Sequence, residues 1–267
     1  MTEAPEPDVP NGRAHARNRP GTPCRVSLMV QGMAAAQAFY GELFGWEFQP
    51  GPRRLGPGVR ALLDGREVGG IGQLPPGEHL PVAWTPYLAS DDVDLTAEQV
   101  RLCGGTIGVG PLEGGGNGRL AIGSDPWGAV FGLWQAEAHP GTEVAGVPGT
   151  PVWHKLLTYE TAGAATFYTR LFGYEPKPHG SADADRVALH LDGRPVAGVH
   201  GVGRALPHDR GPHWMTYFEV ADTDEATERL VALGGRVLTP ARNTTHGRVA
   251  TVTDPEGARF ALMARSL

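Results

Sequence analysis

Histidine, cysteine and serine side chains often carry chemistry, but in this chain their spacing matches no standard catalytic or metal-binding motif. Seven of the ten histidines follow residue 150, yet they form neither an HExxH nor a Cys/His zinc pattern. No Gly-x-Ser-x-Gly segment provides a hydrolase nucleophile. The two cysteines, Cys24 and Cys103, are expected to be free thiols. Motif spacing alone therefore indicates neither a hydrolase nor a zinc site.

One long sequence pattern occurs twice in the chain. Residues 23–46 correspond to residues 151–174, and their Phe-Tyr pairs begin at Phe39 and Phe167, 128 residues apart. Leu-Phe-Gly, Leu-Asp-Gly, Gly-Gly and Asp-Pro landmarks recur in the same order. This period is far longer than that of a solenoid repeat. The duplication predicts two modules, and the domain boundaries that we expect are a disordered tail at 1–21, modules at 22–137 and 150–267, and a Pro/Gly-rich linker at 138–149.

Charge and hydropathy exclude several classes of partner. The net charge is −6 and no basic block is present, which argues against binding to nucleic acid. No apolar run approaches the ~18–20 residues of a membrane span, and the first residues lack the apolar centre of a signal peptide. We therefore expect a cytoplasmic protein that binds neither nucleic acid nor membrane.

Hydrophobic periodicity predicts the same order of elements four times. Each unit has a strand, a helix and further strands, and 39 glycines and 24 prolines favour short elements with many turns. In the first module we expect helices at 34–43 and 93–103 and strands at 25–30, 46–48, 60–63, 67–74, 83–89, 106–110, 120–123 and 129–134. In the second we expect helices at 162–171 and 223–233 and strands at 152–159, 187–191, 195–202, 214–220, 236–239, 248–253 and 259–264. The fold class is therefore α+β, built from four β-α-β-β-β units.

The helix ending in Phe-Tyr-x-x-Leu-Phe-Gly and the late Asp-Pro-x-Gly-x-x-Phe hairpin resemble the vicinal oxygen chelate superfamily. This superfamily includes glyoxalase I, bleomycin-resistance proteins, fosfomycin-resistance enzymes and extradiol dioxygenases. The resemblance covers about residues 22–266 and is closest to tandem two-module glyoxalase-like proteins. It implies curved mixed sheets, each with a concave surface that holds a ligand. It does not imply one function, because a single fold supports many chemistries.

Enzymes of this superfamily usually hold one divalent metal with His and Glu side chains, and the landmarks place the equivalent positions here. They fall at Val26, Thr85, Gly132 and Gly70 in the first module and at His154, Met215, Ala261 and Gly198 in the second. Of these, His154 alone carries a metal-binding side chain. A shift of one or two residues would bring in His200 or His213 but no glutamate. We therefore expect no metal and no cofactor.

His154 is the candidate acid or base, since the resemblance implies that its position faces the concave surface. A satisfied core histidine is the simpler alternative. Aromatic and apolar residues stand near the other expected positions and suit a flat apolar ligand. The predicted ligand-binding residues are Leu28, Trp84, Tyr87, Trp153, His154, Leu156, Trp214, Met215 and Tyr217.

The leading hypothesis is a small-molecule-binding protein that sequesters or carries an aromatic natural product or antibiotic without a metal. Such a protein would act in antibiotic resistance or as an accessory to secondary metabolism, as a monomer or homodimer. The alternative is an enzyme of the same superfamily, a lyase, isomerase or oxygenase, with a displaced metal or with His154 as acid/base. A third hypothesis is a scaffold that binds a protein partner through an exposed apolar patch.

Overall fold

The structure is a computed structural model, and it describes residues 18–52, 55–75, 77, 82–114, 118–180, 184–206 and 210–265. The described residues form sixteen strands and four α-helices. Those of the first half are β1 (Pro23–Val30), α1 (Met33–Phe44), β2 (Glu47–Pro50), β3 (Gly58–Leu63), β4 (Arg66–Gln73), β5 (Trp84–Ala89), α2 (Val93–Leu102), β6 (Thr106–Glu113), β7 (Gly118–Ser124) and β8 (Val130–Ala136). Those of the second half are β9 (Pro151–Thr158), α3 (Thr161–Phe172), β10 (Glu175–Pro178), β11 (Arg186–Leu191), β12 (Arg194–Gly201), β13 (His213–Glu219), α4 (Thr223–Ala232), β14 (Arg236–Thr244), β15 (Gly247–Thr253) and β16 (Arg259–Arg265).

Each half of the chain forms one eight-stranded mixed sheet. The order is β2-β3-β4-β1-β5-β8-β7-β6 in the first sheet and β10-β11-β12-β9-β13-β16-β15-β14 in the second. In both sheets two β-α-β-β-β units join through an antiparallel pair at the centre, β1 with β5 and β9 with β13. The predicted α+β class with four such units is confirmed.

The helices end where their sequences change from helix formers to glycine. Gly45 and Gly173 follow α1 and α3 with φ of 73° and 70°, a left-handed conformation that glycine adopts at little cost. At the other end, the carboxylates of Asp92 and Asp222 accept hydrogen bonds from backbone amides in the first turns of α2 and α4. These caps fix where each helix starts and stops over its sheet.

The two modules share their hydrophobic cores. One core joins Tyr40, Trp46 and Trp84 of the first module to Phe218 and Phe260 of the second. The other core joins residues of α2, β7 and β8 to residues of α3, β11 and β12. Each core therefore combines one unit from each module, with α1 against α4 and α2 against α3.

Two hydrogen-bond relays cross between the modules. Trp84 Nε1 donates to Tyr40 Oη over 3.1 Å, and Tyr40 donates to Asp254 Oδ2 over 2.9 Å. In the equivalent relay Trp214 donates to Tyr168 over 2.9 Å, and Tyr168 donates to Asp125 over 3.3 Å. The Phe-Tyr and Asp-Pro landmarks of the sequence are thus contacts between modules.

The differences from the predicted elements lie mainly at edges. Strand β10 was not predicted, because its sequence Glu-Pro-Lys-Pro (Glu175–Pro178) is exposed and proline-rich, although proline is tolerated on edge strands. Strand β14 extends to Thr244, past the predicted end at residue 239. Most of the expected tail lies outside the described residues, but Gly21 is ordered: its amide donates to Ala89 and its carbonyl accepts from Tyr174.

The linker packs against both modules. Val144 is buried in the first core, and Gly149 O accepts a 2.8 Å hydrogen bond from Trp46 Nε1. The Glu143 amide donates a hydrogen bond to Glu67 O, and the Glu67 amide donates one to the Glu143 carboxylate. None of the four helices in the described part of the chain has the length and apolar character that crossing a membrane requires.

Candidate functional site

Each sheet has one face covered by helices and one face turned away from them. Along β1 and β9, alternate side chains belong to the two faces, so that Val26 and Leu156 enter the helix-side cores. On the open face of the first sheet, Arg25, Ser27, Tyr87 and Trp134 form what we call the first cup. On the second sheet the corresponding surface is the second cup, formed by Trp153, Lys155, Leu157, Met215, Tyr217, Val249 and Met263.

The first cup is filled by a buried ionic cluster. Glu67 is 2% exposed, and its Oε1 lies 2.8 Å from Arg25 Nη1. His139, from the linker, brings its Nε2 to 3.4 Å from the Glu67 carboxylate. The Arg25 guanidinium lies 5.1 Å from the centre of the Trp134 ring, at a cation–π distance. The charges of this cup are therefore compensated by the chain itself.

Tyr87 and the linker fill the rest of the first cup. A Cβ atom on Gly132 would lie 2.1 Å from the Tyr87 ring, so the tyrosine rests directly on the β8 backbone. Its hydroxyl is 3.1 Å from Ser27 Oγ. The linker crosses the end of this surface, where Thr142 N donates to Cys24 O over 2.6 Å. Little of the first cup remains open to a ligand.

The second cup has an apolar floor that is partly open to solvent. Met215, Tyr217 and Met263 are buried and form one cluster, and Trp153, Leu157 and Val249 pack against it half-buried. Trp153 pairs with Tyr217 across the centre of the sheet, so both side chains lie on the same surface, and the Trp153 ring extends over Gly198 of β12. Such a surface offers van der Waals contact and ring stacking to a planar molecule.

Cationic side chains surround this floor. Lys155 Nζ lies 4.8 Å from the centre of the Tyr217 ring. Burial, with the nearby positive charges of Arg186 and Arg242, lowers the pKa of Lys155 to about 8. Burial, with the charges of Lys155 and Arg186, also lowers the pKa of His200 to about 3, so His200 is neutral at pH 7.

The rim of the second cup is closed by two histidines. His179 follows edge strand β10, and His246 lies in the turn between β14 and β15, near the opposite edge of the sheet. Their Nε2 atoms are 3.2 Å apart and their rings stack with centroids 5.3 Å apart. The sheet is thus curled until its two edges meet, which makes this surface concave.

We expect the Lys155 amine to react with an acylating reagent in a pH-dependent way that the other lysine does not share. Lys155 and Lys177 are the two lysines of the chain. Because the pKa of Lys155 is about 8 rather than 10.5, its acylation rate should reach half its maximum near pH 8, since only the neutral amine reacts. Mass spectrometry of peptides after brief acetylation measures this rate, with Lys177 as internal reference. A rate at Lys155 that still rises steadily through pH 10 would contradict the lowered pKa.

The structure divides the predicted ligand-binding residues between the two faces of the sheets. Trp153, Met215 and Tyr217 lie together in the second cup, and Tyr87 lies in the first. Five predicted residues are on the helix side instead, namely Leu28, Trp84, His154, Leu156 and Trp214. For these five the expectation of a cup-facing side chain is corrected. The expected register was one residue out on β1 and β9, which accounts for Leu28, His154 and Leu156. On β5 and β13 side chains alternate between the faces, so Trp84 and Trp214 point to the helices while Tyr87, Met215 and Tyr217 face the cups.

His154 is therefore a core histidine rather than a cup residue. It is 6% exposed, and its Nδ1 lies 3.3 Å from the hydroxyl of Thr216, which is buried. Burial lowers the pKa of its imidazole to about 4, which keeps it neutral at physiological pH. The side chains that do face the cups at this level are Arg25 and Trp153.

The residues at the metal-binding positions do not fit a divalent metal. In the first cup they are Arg25 on β1, Gly70 on β4, Thr85 on β5 and Gly132 on β8. In the second they are Trp153 on β9, Gly198 on β12, Met215 on β13 and Ala261 on β16. None of these side chains is a His, Cys, Asp or Glu, the donors that such metals prefer. Across the described residues, no group of three or more such donors is placed to hold a metal ion.

Sequence reasoning missed the cations of the second cup. Lys155 was not singled out, although a lysine between Trp153 and Leu157 in an otherwise apolar strand was a usable signal. Arg186 and Arg242 could not be placed from the sequence, since they lie on strands far from β9 in the chain. Their approach to Lys155 depends on the curl of the sheet.

Comparisons with known proteins agree with this architecture. The profile of the family described as "Glyoxalase-like domain" matches residues 156–263. The protein named "Putative glyoxylase CFP32" from Mycobacterium tuberculosis is 37% identical over 254 residues, covering 92% of this chain and 95% of that protein. "Anthracycline biosynthesis protein DnrV" from Streptomyces peucetius is 33% identical over 264 residues, covering 92% of this chain and 94% of that protein.

Solved structures share the fold at low sequence identity. The Mn(II)-bound glyoxalase from Novosphingobium aromaticivorans superposes with a TM-score of 0.66 at 17% identity, covering 92% of this chain and 82% of that chain. The two relatives above 30% identity match over at least 94% of their own length, and the two sheets of this chain have the same strand order. The chain is a tandem two-module member of the glyoxalase-like family, within the vicinal oxygen chelate superfamily.

Proposed function

We propose that this protein binds a small planar aromatic molecule in its second cup, without a metal, and sequesters or carries it. The observation that carries the proposal is the half-buried apolar floor of Trp153, Leu157 and Val249 over Met215 and Tyr217. Partly exposed aromatic and aliphatic side chains on a concave surface gain free energy when a flat ligand displaces their water. Binding of this kind requires shape and apolar contact, and no metal ligands.

We expect one bound ligand per chain, because the first cup is filled by the protein itself and the second cup is not. Its ionic cluster of Arg25, Glu67 and His139 is already paired within the protein, and Tyr87 covers the floor at Gly132. A ligand would have to displace the linker and expose a buried carboxylate there. The second cup has no such segment across its described floor.

The relatives support a role in natural-product chemistry. DnrV is named for anthracycline biosynthesis, and an accessory role with a polycyclic aromatic metabolite would suit the floor of the second cup. A role in antibiotic resistance would use the same binding. The enzyme hypothesis that relies on His154 has less support, since that imidazole is buried on the helix side.

Replacing Trp153 by alanine should abolish most of the binding. The probe is anthraquinone-2-carboxylate, titrated calorimetrically into the full chain at pH 7. We expect one site per chain, and at least a tenfold weaker affinity for Trp153→Ala, since covering a large apolar side chain contributes roughly 1.5–3 kcal/mol. Leu102→Ala is the control, because Leu102 is 79% exposed at the end of α2, a helix of the first module on the opposite face of its sheet from the cup.

Three results would count against the proposal. An unchanged affinity in Trp153→Ala would place the ligand elsewhere, and two equal sites would restore the first cup as a binding site. No detectable binding of the probe would overturn the proposed function. Stoichiometric uptake of a divalent metal by the purified protein would also contradict it and would favour an enzyme of this superfamily.

A further inference from the structure

We infer that the ligand of the second cup is an anion, with an acidic oxygen held by Lys155, Arg186 and Arg242 while its aromatic rings cover the apolar floor. The inference rests on the proposed function and deepens it by naming the chemical class of the ligand. Carboxylates and ionised phenols share this chemistry. The protein as a whole has a net charge of −6, so a cationic cup is a local property of this surface.

Lys155 stands at the centre of the cup. It is half-buried on β9, between Trp153 and Leu157 on the open face, and it lies 4.8 Å from the centre of the Tyr217 ring. Keeping an ammonium group in such surroundings costs free energy unless a counter-charge is present. An anionic group on a ligand would supply that counter-charge.

Arg186 and Arg242 approach the same place from the two sides of the sheet. Arg186 pairs with His200 on β12, and His200 pairs with Leu157 on β9. Arg242 pairs with Val249 on β15, which pairs with Met263 on β16. Both guanidinium groups are close enough to lower the pKa of Lys155. Guanidinium groups also suit oxyanions, because they donate paired hydrogen bonds.

These three cations have no counter-charge among the described residues. Within the part of the chain that the structure describes, none of Lys155, Arg186 and Arg242 forms an ion pair with a carboxylate. Glu219 lies on the same strand face as Tyr217, but both of its oxygens contact Arg265. The cup therefore presents a surplus of positive charge to whatever enters it.

The first module shows that this charge is not required by the fold. The positions equivalent to Lys155, Arg186, His200 and Arg242 are Ser27, Gly58, Gly72 and Leu112, as matching strand pairings establish. None of these four residues is charged. The same sheet is thus built without the cations, and their presence in the second module points to a ligand.

The test compares two probes that share one ring system. Anthraquinone-2-carboxylate is an anion at pH 7, and 2-(hydroxymethyl)anthraquinone is its neutral counterpart. We expect the full chain to bind the anion at least tenfold more tightly, since hydrogen bonds between charged groups are worth about 1.5–3 kcal/mol. Lys155→Gln should remove most of this preference, and Lys155→Arg should retain it. Arg248→Gln should change nothing, because Arg248 pairs with Asp224 in the first turn of α4, on the helix side of the sheet.

The outcomes separate the inference from the proposed function. Equal affinity for the two probes would overturn the inference and leave the proposed function standing. Absence of binding by the anion would overturn both. If Lys155→Gln does not fold, as judged by circular dichroism, Arg242→Gln replaces it, because Arg242 is exposed on edge strand β14. If a folded variant of Lys155 or Arg242 still prefers the anionic probe, the replaced residue does not hold the acidic oxygen of the ligand.

Discussion

Replacing Asp125 by alanine is expected to lower the free energy of unfolding by about 3 kcal/mol. Asp125 is buried, and its Oδ1 accepts hydrogen bonds from the amides of Trp127, at 3.0 Å, and Ala129, at 2.9 Å. Its Oδ2 accepts from Tyr168 of the other module. Alanine would leave the buried Ala129 amide and the Tyr168 hydroxyl without this acceptor. Burial raises the pKa of Asp125, which shows that desolvation already offsets part of the gain from these bonds.

Urea unfolding of the variants measures this effect. Tyr168→Phe removes both hydrogen bonds of the Tyr168 hydroxyl, the one donated to Asp125 and the one accepted from Trp214, and should cost about 2 kcal/mol. The double variant should cost less than the sum of the two single variants, because the two residues interact. Asp91→Ala, at an exposed position before α2, is the matched control and should change stability by less than about 0.5 kcal/mol. A strictly additive double variant would show that the relay contributes no coupling between the modules.

Replacing Glu67 by alanine should destabilise the protein by a similar amount, about 3 kcal/mol. The variant leaves Arg25, whose side chain is 14% exposed, without the carboxylate that lies 2.8 Å from it. An unpaired charge in a buried place costs more than the ion pair itself contributes. The His139 contact to Glu67, at 3.4 Å, would also be lost, which should loosen the linker.

The double variant Arg25→Met with Glu67→Leu should recover much of this loss, because apolar residues can replace a buried ion pair at little cost. Asp224→Ala is the surface control. It breaks the exposed pair with Arg248 and should cost less than about 1 kcal/mol. Binding of anthraquinone-2-carboxylate should be unchanged in the double variant if the ligand occupies the second cup. Loss of binding there would instead assign the ligand to the first cup.

Most of the fold was predictable because the duplication supplied every element twice. Local patterns are sufficient for a helix such as α1, with its glycine stop at Gly45 and its apolar spacing. The pairing of Tyr40 with Asp254 and of Tyr168 with Asp125 was not predictable in the same way. A repeated motif shows that a contact recurs, but the sequence does not show whether the partner lies in the same module.

The candidate site was less accessible to sequence reasoning, for a reason inherent to strands. A register error of one residue transfers a side chain to the opposite face of a sheet, and this moved His154 from the expected site to the core. On β13 the predicted set included the neighbours Trp214 and Met215, which cannot both face the same side of a sheet. Met215 and Tyr217 face the second cup, and Trp214 faces the helices. Arg186 and Arg242 lie on strands on opposite sides of β9. Both approach Lys155 because the sheet is curled until its edges meet at His179 and His246.

The crossed relays give the chain the character of a homodimer joined by a tether. In a twofold-symmetric dimer, a residue of one subunit contacts its partner residue in the other, and the same contact occurs again in reverse. Tyr40 with Asp254 and Tyr168 with Asp125 reproduce that arrangement inside a single polypeptide. Once both halves are encoded in one gene, their surfaces are free to evolve separately while the shared interface is kept. A symmetric dimer of identical subunits could not close one cup with its own linker and line the other with cations.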